Sequence, residues 1–375
     1  MCTIIVKDHF IGKNYDSVVN EGMIFTNKRS LIKEATVFPP DQSLEWVSSY
    51  GSVTFSQSGR EMPVGGVNEA GLVVEQATLP ATVYPESEGK PAASSLEATQ
   101  YLLDTCGDVT QALAALERIA ITKTSWPIHF ALIDSGGRTA AVEYLRGCKQ
   151  VYEGTADRTV QMTNTGYQIQ DMQTECRSAD DMFACLEKSK KPDTVWSHVY
   201  DLRERKLFAK RSADSETVAI ELDWLDFSPW SESQMLDIKE GDTGFRAYTE
   251  EANRRLISGF FNHPVIGGIM KLPDSEAMID FIAVKSKNYD RINEIVLRFL
   301  EEGKIKQIPV RMEYKIYVLK YLTSKFEMGK EYSERQVNAV IDEWHTFGDY
   351  FVLRRELIDS GLMKRLPNGS KYWRA

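Results

Sequence analysis

No stretch of this 375-residue chain approaches the roughly 18 uninterrupted apolar residues of a membrane span, which excludes an α-helical membrane segment. Cysteine is scarce and unpatterned. Cys2, Cys106, Cys148, Cys176 and Cys185 are an odd number without CxxC spacing, which argues against both a disulfide framework and a zinc site. Histidine is equally sparse: His9, His129, His198, His263 and His345 are scattered without metal-ligand spacing and read as structural or surface residues. The opening MCTIIVKDHF lacks the basic start, long apolar stretch and small-residue cleavage site of a secretory signal, so a cytoplasmic protein with reduced thiols is expected. Internal repeats and low-complexity tracts are absent.

What is present is an ordinary globular composition, 42% hydrophobic, 26% charged and 10% aromatic. Single cores stop growing at roughly 250 to 300 residues, so this length predicts two domains. The net charge of −9 is uneven: residues 303 to 375 hold 14 Lys or Arg against 9 Asp or Glu, or +5, which leaves −14 on the remainder. The C-terminal part therefore has a different surface and is open to a different partner.

Residues 2–225 read as short strands with a few helices. CTIIVK, GLVVEQAT, IHFALID, TAAVEYL, VWSHVYD, KLFAKRS and TVAIELD are β-branched or aromatic runs of strand length. Residues 95 to 119 have helical spacing with Ser at the start and a Gly-Asp break inside, the pattern of a helix pair, and Ser178 caps a further helix candidate at 178 to 189. Strands with segregated helices imply an α+β fold with at least one large, mainly antiparallel sheet. Residues 226–292 lose the strand rhythm and read as a connecting region with a helix at 249 to 261. In 293–375 three apolar stripes at helical spacing precede an Asn368-Gly369 hairpin signal; Ser333 with Gln336 forms a capping box and Gly361 is placed to end the third helix.

The residue after the initiator Met carries chemistry of its own. Removal of Met1 would place a thiol and a free α-amine on Cys2, and an amine with a pKa of about 7.7 to 8.0 can take up the thiol proton without a histidine. The plainer alternative is a buried Cys opening a strand. Lys13 and Asp16, in FIGKNYD, lie one β-hairpin away. Asp16 is placed to hydrogen-bond or orient the amine, and Lys13 to lower the thiol pKa with its charge. Each also reads as a solvated turn residue.

Met-Cys-Thr followed by Gly-basic-Asn-aromatic-Asp resembles the start of the choloylglycine hydrolase family, which includes penicillin V acylases and bile salt hydrolases. GGVNEAGLVVEQATLP (65–80), WPIHFALIDSGGRTAAVEY (126–144), TNTG (163–166) and TVWSHVYDLRERKLFAKR (194–211) resemble further family motifs in family order. The resemblance implies an αββα sandwich of antiparallel sheets, the N-terminal-nucleophile hydrolase fold, and cleavage of a linear, non-peptide C–N amide bond in a small N-acyl amide, with no cofactor and no metal. It implies Cys2 as nucleophile and base, Asp16 holding the amine, Asn164 offering its side-chain amide to the oxyanion and Thr78, where the family has Asn, offering its backbone N–H. Lys13 stands where the family has Arg, and a second family Arg is best matched by Arg177. Glu75 and Glu143, on apolar strands, read as site-lining or as paired residues. The short interval from Asn164 to Thr194, where tetrameric members insert a hairpin, leaves homo-oligomerisation open.

The helix, helix, helix, hairpin order of 313 to 375 is that of a winged helix, and Arg354, Arg355, Lys364, Arg365, Lys371 and Arg374 are placed for phosphate contacts on its third helix and wing. The same charges also suit a solvated or protein-binding face. The run resembles an uncharacterised bacterial domain. Two further functions fit the chain: a ligand-sensing regulator with a hydrolase-like domain, and an acyltransferase using the same thioester. One consequence holds for every form of the nucleophile chemistry: the mature protein should begin at Cys2. Intact-mass measurement decides this, and active protein retaining Met1 would contradict the mechanism.

Overall fold

The computed structural model describes residues 2–156, 160–169, 176–211, 215–238, 244–270 and 275–375. The chain divides into two units, one of residues 1–28, 34–45 and 50–286 and the other of 29–33, 46–49 and 287–375.

Two antiparallel sheets form the first unit. The seven-stranded sheet runs in the order Gly166–Ile169, Val160–Thr163, Thr3–Lys7, Phe10–Asp16, Thr194–Asp201, Lys206–Lys210, Val218–Glu221. The nine-stranded sheet runs Cys148–Thr155, Arg138–Leu145, Ile128–Ile133, Val73–Thr78, Gly65–Asn68, Ser52–Ser56, Met23–Asn27, Gln234–Asp237, Arg246–Ala247. The seven runs singled out by their β-branched and aromatic content are all strands. Their inward faces meet in one core, with Ile4, Ile11 and Trp196 from one sheet against Phe55, Val67 and Ala131 from the other.

The outer faces are covered by helices, giving four layers. Ser95–Thr105, closed by the reciprocal Ser94–Glu97 capping box, and Val109–Arg118, capped by Asp108, lie on the nine-stranded sheet. Asn68 in that sheet ties the first helix down by donating to the carbonyls of Leu103 and Cys106. Ala179–Glu187, capped by Ser178 as its sequence predicts, packs Met182 and Leu186 against the seven-stranded sheet. The expected αββα architecture is present.

The segment 226–292, which loses strand rhythm in the sequence, does more than connect. Gln234–Asp237 extends the nine-stranded sheet beside Met23–Asn27, and Glu250–Phe261, capped by Thr249, buries Leu256 and Ile257 in this same unit. A four-residue strand is too short to show a period, so only its neighbour reveals it.

In the second unit, Met312–Thr323, Glu334–Glu343 and Tyr350–Asp359 enclose Val318, Leu322, Val337, Ile341, Leu353 and Leu357. The Ser333–Gln336 capping box forms, and Gly361, at φ 74°, takes the left-handed conformation that ends the third helix. The strands Met363–Arg365 and Tyr372–Arg374 then pair as the predicted hairpin. The loop is longer than a two-residue Asn-Gly turn: the Gly369 N–H bonds the Leu366 carbonyl, and Asn368 Oδ1 accepts from Ser370.

Candidate active site

Cys2 precedes the first strand of the seven-stranded sheet and is buried, its Sγ 3.8 Å from the Asp16 carbonyl oxygen. The hairpin register, Thr3 opposite Asn14 and Ile4 opposite Lys13, continues to place Cys2 opposite Tyr15. Because successive side chains alternate between faces, Lys13, Tyr15 and Cys2 all point into the sandwich. Asp16 points the other way at the sheet end, where Oδ1 accepts from the Thr194 hydroxyl at 2.5 Å. Burial raises the Asp16 carboxyl above its ordinary value, against the opposing effect of that bond.

Lys13 is completely buried. Its Nζ lies 2.6 Å from Glu75 Oε2 and 2.6 Å from the Val64 carbonyl. Glu75, also completely buried, accepts on Oε1 from His198 Nε2 at 2.8 Å and the Tyr200 hydroxyl at 2.7 Å. Trp196 Nε1 donates to His198 Nδ1, which makes Nδ1 the acceptor and puts the imidazole proton on Nε2, facing Glu75. Burial alone would raise the Glu75 carboxyl, but Lys13 and His198 outweigh it and hold it below its usual range; burial likewise holds His198 below its usual value. Gly65 makes room for this carboxylate: a Cβ there would sit 2.0 Å from Glu75 Oε2.

The effect of Lys13 on Cys2 differs from the sequence expectation in its balance. Its ammonium does pull the thiol down, but burial is the larger effect and leaves the Cys2 pKa raised. Lys13 is spent mainly on Glu75, a partner more than sixty positions away in sequence that no local pattern reveals.

Thr78 ends a strand of the nine-stranded sheet, opposite Ile128. The Leu79 N–H bonds the Pro127 carbonyl, so by antiparallel alternation the N–H and C=O of Thr78 point away from Ile128–Ile133. On that free edge the Thr78 carbonyl accepts from Asn164 Nδ2. Asn164 and Thr165 form the two-residue loop between Val160–Thr163 and Gly166–Ile169. Two segments far apart in sequence, each expected to supply a polar N–H, are thus bonded to one another.

Cys2, Asp16, Val64 and Thr78 line a cavity of about 650 Å³. Its walls are largely apolar and include Phe38, Leu96, Trp126, Phe260 and Met278, with Trp126 Nε1 donating to the Thr78 hydroxyl at 2.9 Å. The contributions from 36–41, 260–266 and Met278 carry no motif and were not among the sequence candidates; an apolar residue facing a cavity has the same sequence signal as one in a core. Arg177 is not among the lining residues. It is exposed, and its backbone N–H donates to Asp181 Oδ2 in the first turn of Ala179–Glu187. Among the described residues no cluster of His, Cys, Asp or Glu is arranged to hold a metal ion.

Residues 6–179 match the family model of acyl-coenzyme A:6-aminopenicillanic acid acyl-transferase, and residues 304–374 match that of an uncharacterized protein conserved in bacteria, DUF2087. No match to the chain is found among curated proteins. Penicillin V acylase from Agrobacterium tumefaciens is similar in structure at a TM-score of 0.52 and 18% identity, over 66% of this chain and 98% of its own. A variant of conjugated bile acid hydrolase from Clostridium perfringens aligns at 0.49 and 13%, over 66% of this chain and 97% of its own.

The Glu75 network generates a stability prediction. Glu75→Gln leaves the Lys13 charge buried without its counter-ion, which should cost about 3 to 5 kcal/mol at neutral pH. The native carboxyl has a depressed pKa, so its stabilisation is present above its unfolded value near ~4.3 and is lost as pH falls through the folded value. His198, depressed below ~6.5, adds a loss in the same acid direction. Denaturant midpoints from pH 7 downward should therefore fall steeply for the native chain and less steeply for the variant; parallel curves would contradict this account.

Residues 6–179 thus match the family model of an acyl-coenzyme A:6-aminopenicillanic acid acyl-transferase, and the αββα fold of the first unit is similar to that of a penicillin V acylase.

Proposed function

We propose that the N-terminal unit hydrolyses a linear, non-peptide amide C–N bond through Cys2. The observation that supports this most is the convergence of the Cys2 thiol and the Thr78 backbone edge, bonded to Asn164, on one apolar cavity. With Met1 removed, the Cys2 amine takes the thiol proton, a base the buried and raised thiol requires. The thiolate attacks the acyl carbonyl. The oxyanion is held by the Thr78 N–H and by the second N–H of the Asn164 amide, whose first N–H is fixed on the Thr78 carbonyl. Collapse breaks the C–N bond, the ammonium returns the proton to the leaving amine, and water attacks the thioester with the same amine as base. Asp16, tied to Thr194, orients the amine. Arg177 has no part in this reading, since it is exposed and outside the cavity lining.

The largely apolar walls suit a substrate whose acyl group is apolar. Acyl transfer to an amine acceptor is the second reading, favoured by the name of the matching family model; it shares the acyl-enzyme and differs only in what accepts the acyl group. With all five cysteines free, the cytoplasm suits the chain, and no helix among the described residues is long and apolar enough to cross a membrane.

The C-terminal unit reads as a winged helix with a protein-binding rather than a nucleic-acid role. Much of its expected phosphate-binding charge is already used: Arg354 pairs with Glu334 at 2.8 Å, Arg355 with Asp359 at 3.2 Å and Lys371 with Glu331 at 2.6 Å. The full chain should therefore show no affinity for duplex DNA at low salt in a mobility-shift assay; binding that weakens steeply with salt would reverse this assignment.

The enzymatic reading is tested with a panel of phenoxyacetyl and fatty-acyl amides. Cys2→Ala should abolish cleavage with the fold kept, while Cys106, Cys148, Cys176 and Cys185 should each tolerate Ser. Asn164→Ala should lower turnover by about a hundredfold or more. Mass spectrometry should find the acyl adduct on the N-terminal peptide. Equal loss at another cysteine would move the nucleophile, and an unchanged Asn164→Ala rate would remove Asn164 from the site.

A further inference from the structure

Asn164 belongs to a hairpin of the seven-stranded sheet, yet the backbone it serves, Thr78, belongs to the nine-stranded sheet. A two-residue loop does not by itself fix its side chain against the opposite sheet. Three positions after Asn164, the Tyr167 N–H donates to Glu143 Oε1 at 2.6 Å. Glu143 lies on Arg138–Leu145, in the nine-stranded sheet, and is only 2% exposed. His129, fully buried on the adjoining strand, places Nδ1 3.0 Å from the same Oε1. The register that pairs Phe130 with Val142 sets His129 directly across from Glu143. One carboxylate oxygen is therefore fixed by its own sheet and accepts a backbone donor from the other.

We infer that Glu143, oriented by His129, is a positioning residue that holds the 163–167 turn so that the Asn164 amide meets the Thr78 edge. This rests on the reading of Asn164 as an oxyanion donor. The turn is pinned to the nine-stranded sheet at two points, Asn164 on Thr78 and Tyr167 on Glu143. The stacking of Tyr152 on Tyr167, centroids 4.9 Å apart, restrains the ring rather than the amide. Losing the Glu143 tie leaves Asn164 chemically intact and displaced, and a displacement on the order of 1 Å in a catalytic group costs as much as about a hundredfold in rate.

The test is a double-mutant cycle on the full chain beginning at Cys2, with phenoxyacetyl 4-nitroanilide as probe. Glu143→Ala should lower kcat by about tenfold to a hundredfold, with KM changed by less than about threefold. Glu143→Gln, which keeps the accepting oxygen, should recover most of that loss. In the Asn164→Ala background, Glu143→Ala should cost less than about a further twofold, because the group it positions is gone. The rate of Cys2 alkylation by iodoacetamide, which needs no oxyanion donor, should stay within about twofold of the native rate and so separates positioning from damage to the fold. Should Glu143→Ala fail to fold, Glu143→Asp, which withdraws the oxygen by one methylene, takes its place with the same readouts. Unchanged turnover, an equal loss in both backgrounds, or Glu143→Gln as impaired as Glu143→Ala would each overturn the assignment. Full turnover by Asn164→Ala alone would instead overturn the oxyanion reading beneath it, an outcome distinct from any result at Glu143.

Discussion

The arrangement of the first unit depends on one buried carboxylate. Glu75 belongs to the nine-stranded sheet, and its three donors, Lys13, His198 and Tyr200, all belong to the seven-stranded one. An ionised group in a core is costly unless its lone pairs are met, so sheet separation and register have little freedom once this network forms. Apolar side chains on the same faces tolerate small slides; a carboxylate with three directional partners does not.

The placement of Cys2 follows from that registration. Lys13 and Cys2 share the inward face of one hairpin, so fixing Lys13 against Glu75 also fixes where the Cys2 thiol lies relative to the strand that ends at Thr78. The strands Thr3–Lys7 and Val160–Thr163 both pack on Val73–Thr78, which brings Cys2 and the Asn164 turn to the same strand. Glu143 repeats the device on a smaller scale, a carboxylate of one sheet accepting a donor from the other. Burial raises the Cys2 thiol despite the opposing charge of Lys13.

The cavity has a different origin. The polar residues around the thiol come from strand ends, while the apolar walls come from 36–41, the helical layer and the chain after 250. The polar surroundings of the thiol and the apolar walls are thereby supplied by separate segments. The walls can change without disturbing the network that registers the sheets.

Much of this was legible in the sequence. Strand runs, the helix caps at Ser178 and Ser333, and the position of Cys2 are local signals, because each depends on residues within a few positions. The order of motifs from Cys2 to the 194–211 hairpin pointed to the αββα sandwich. Tertiary structure alone decided that Lys13 is neutralised by Glu75, that Asn164 bonds the Thr78 carbonyl, that Arg177 stays exposed, and that Gln234–Asp237 joins a sheet. The physical reason is the same in each case. A side chain's propensity is set by its neighbours in sequence, but its charge state and hydrogen-bond partner are set by whichever distant segment shares its burial.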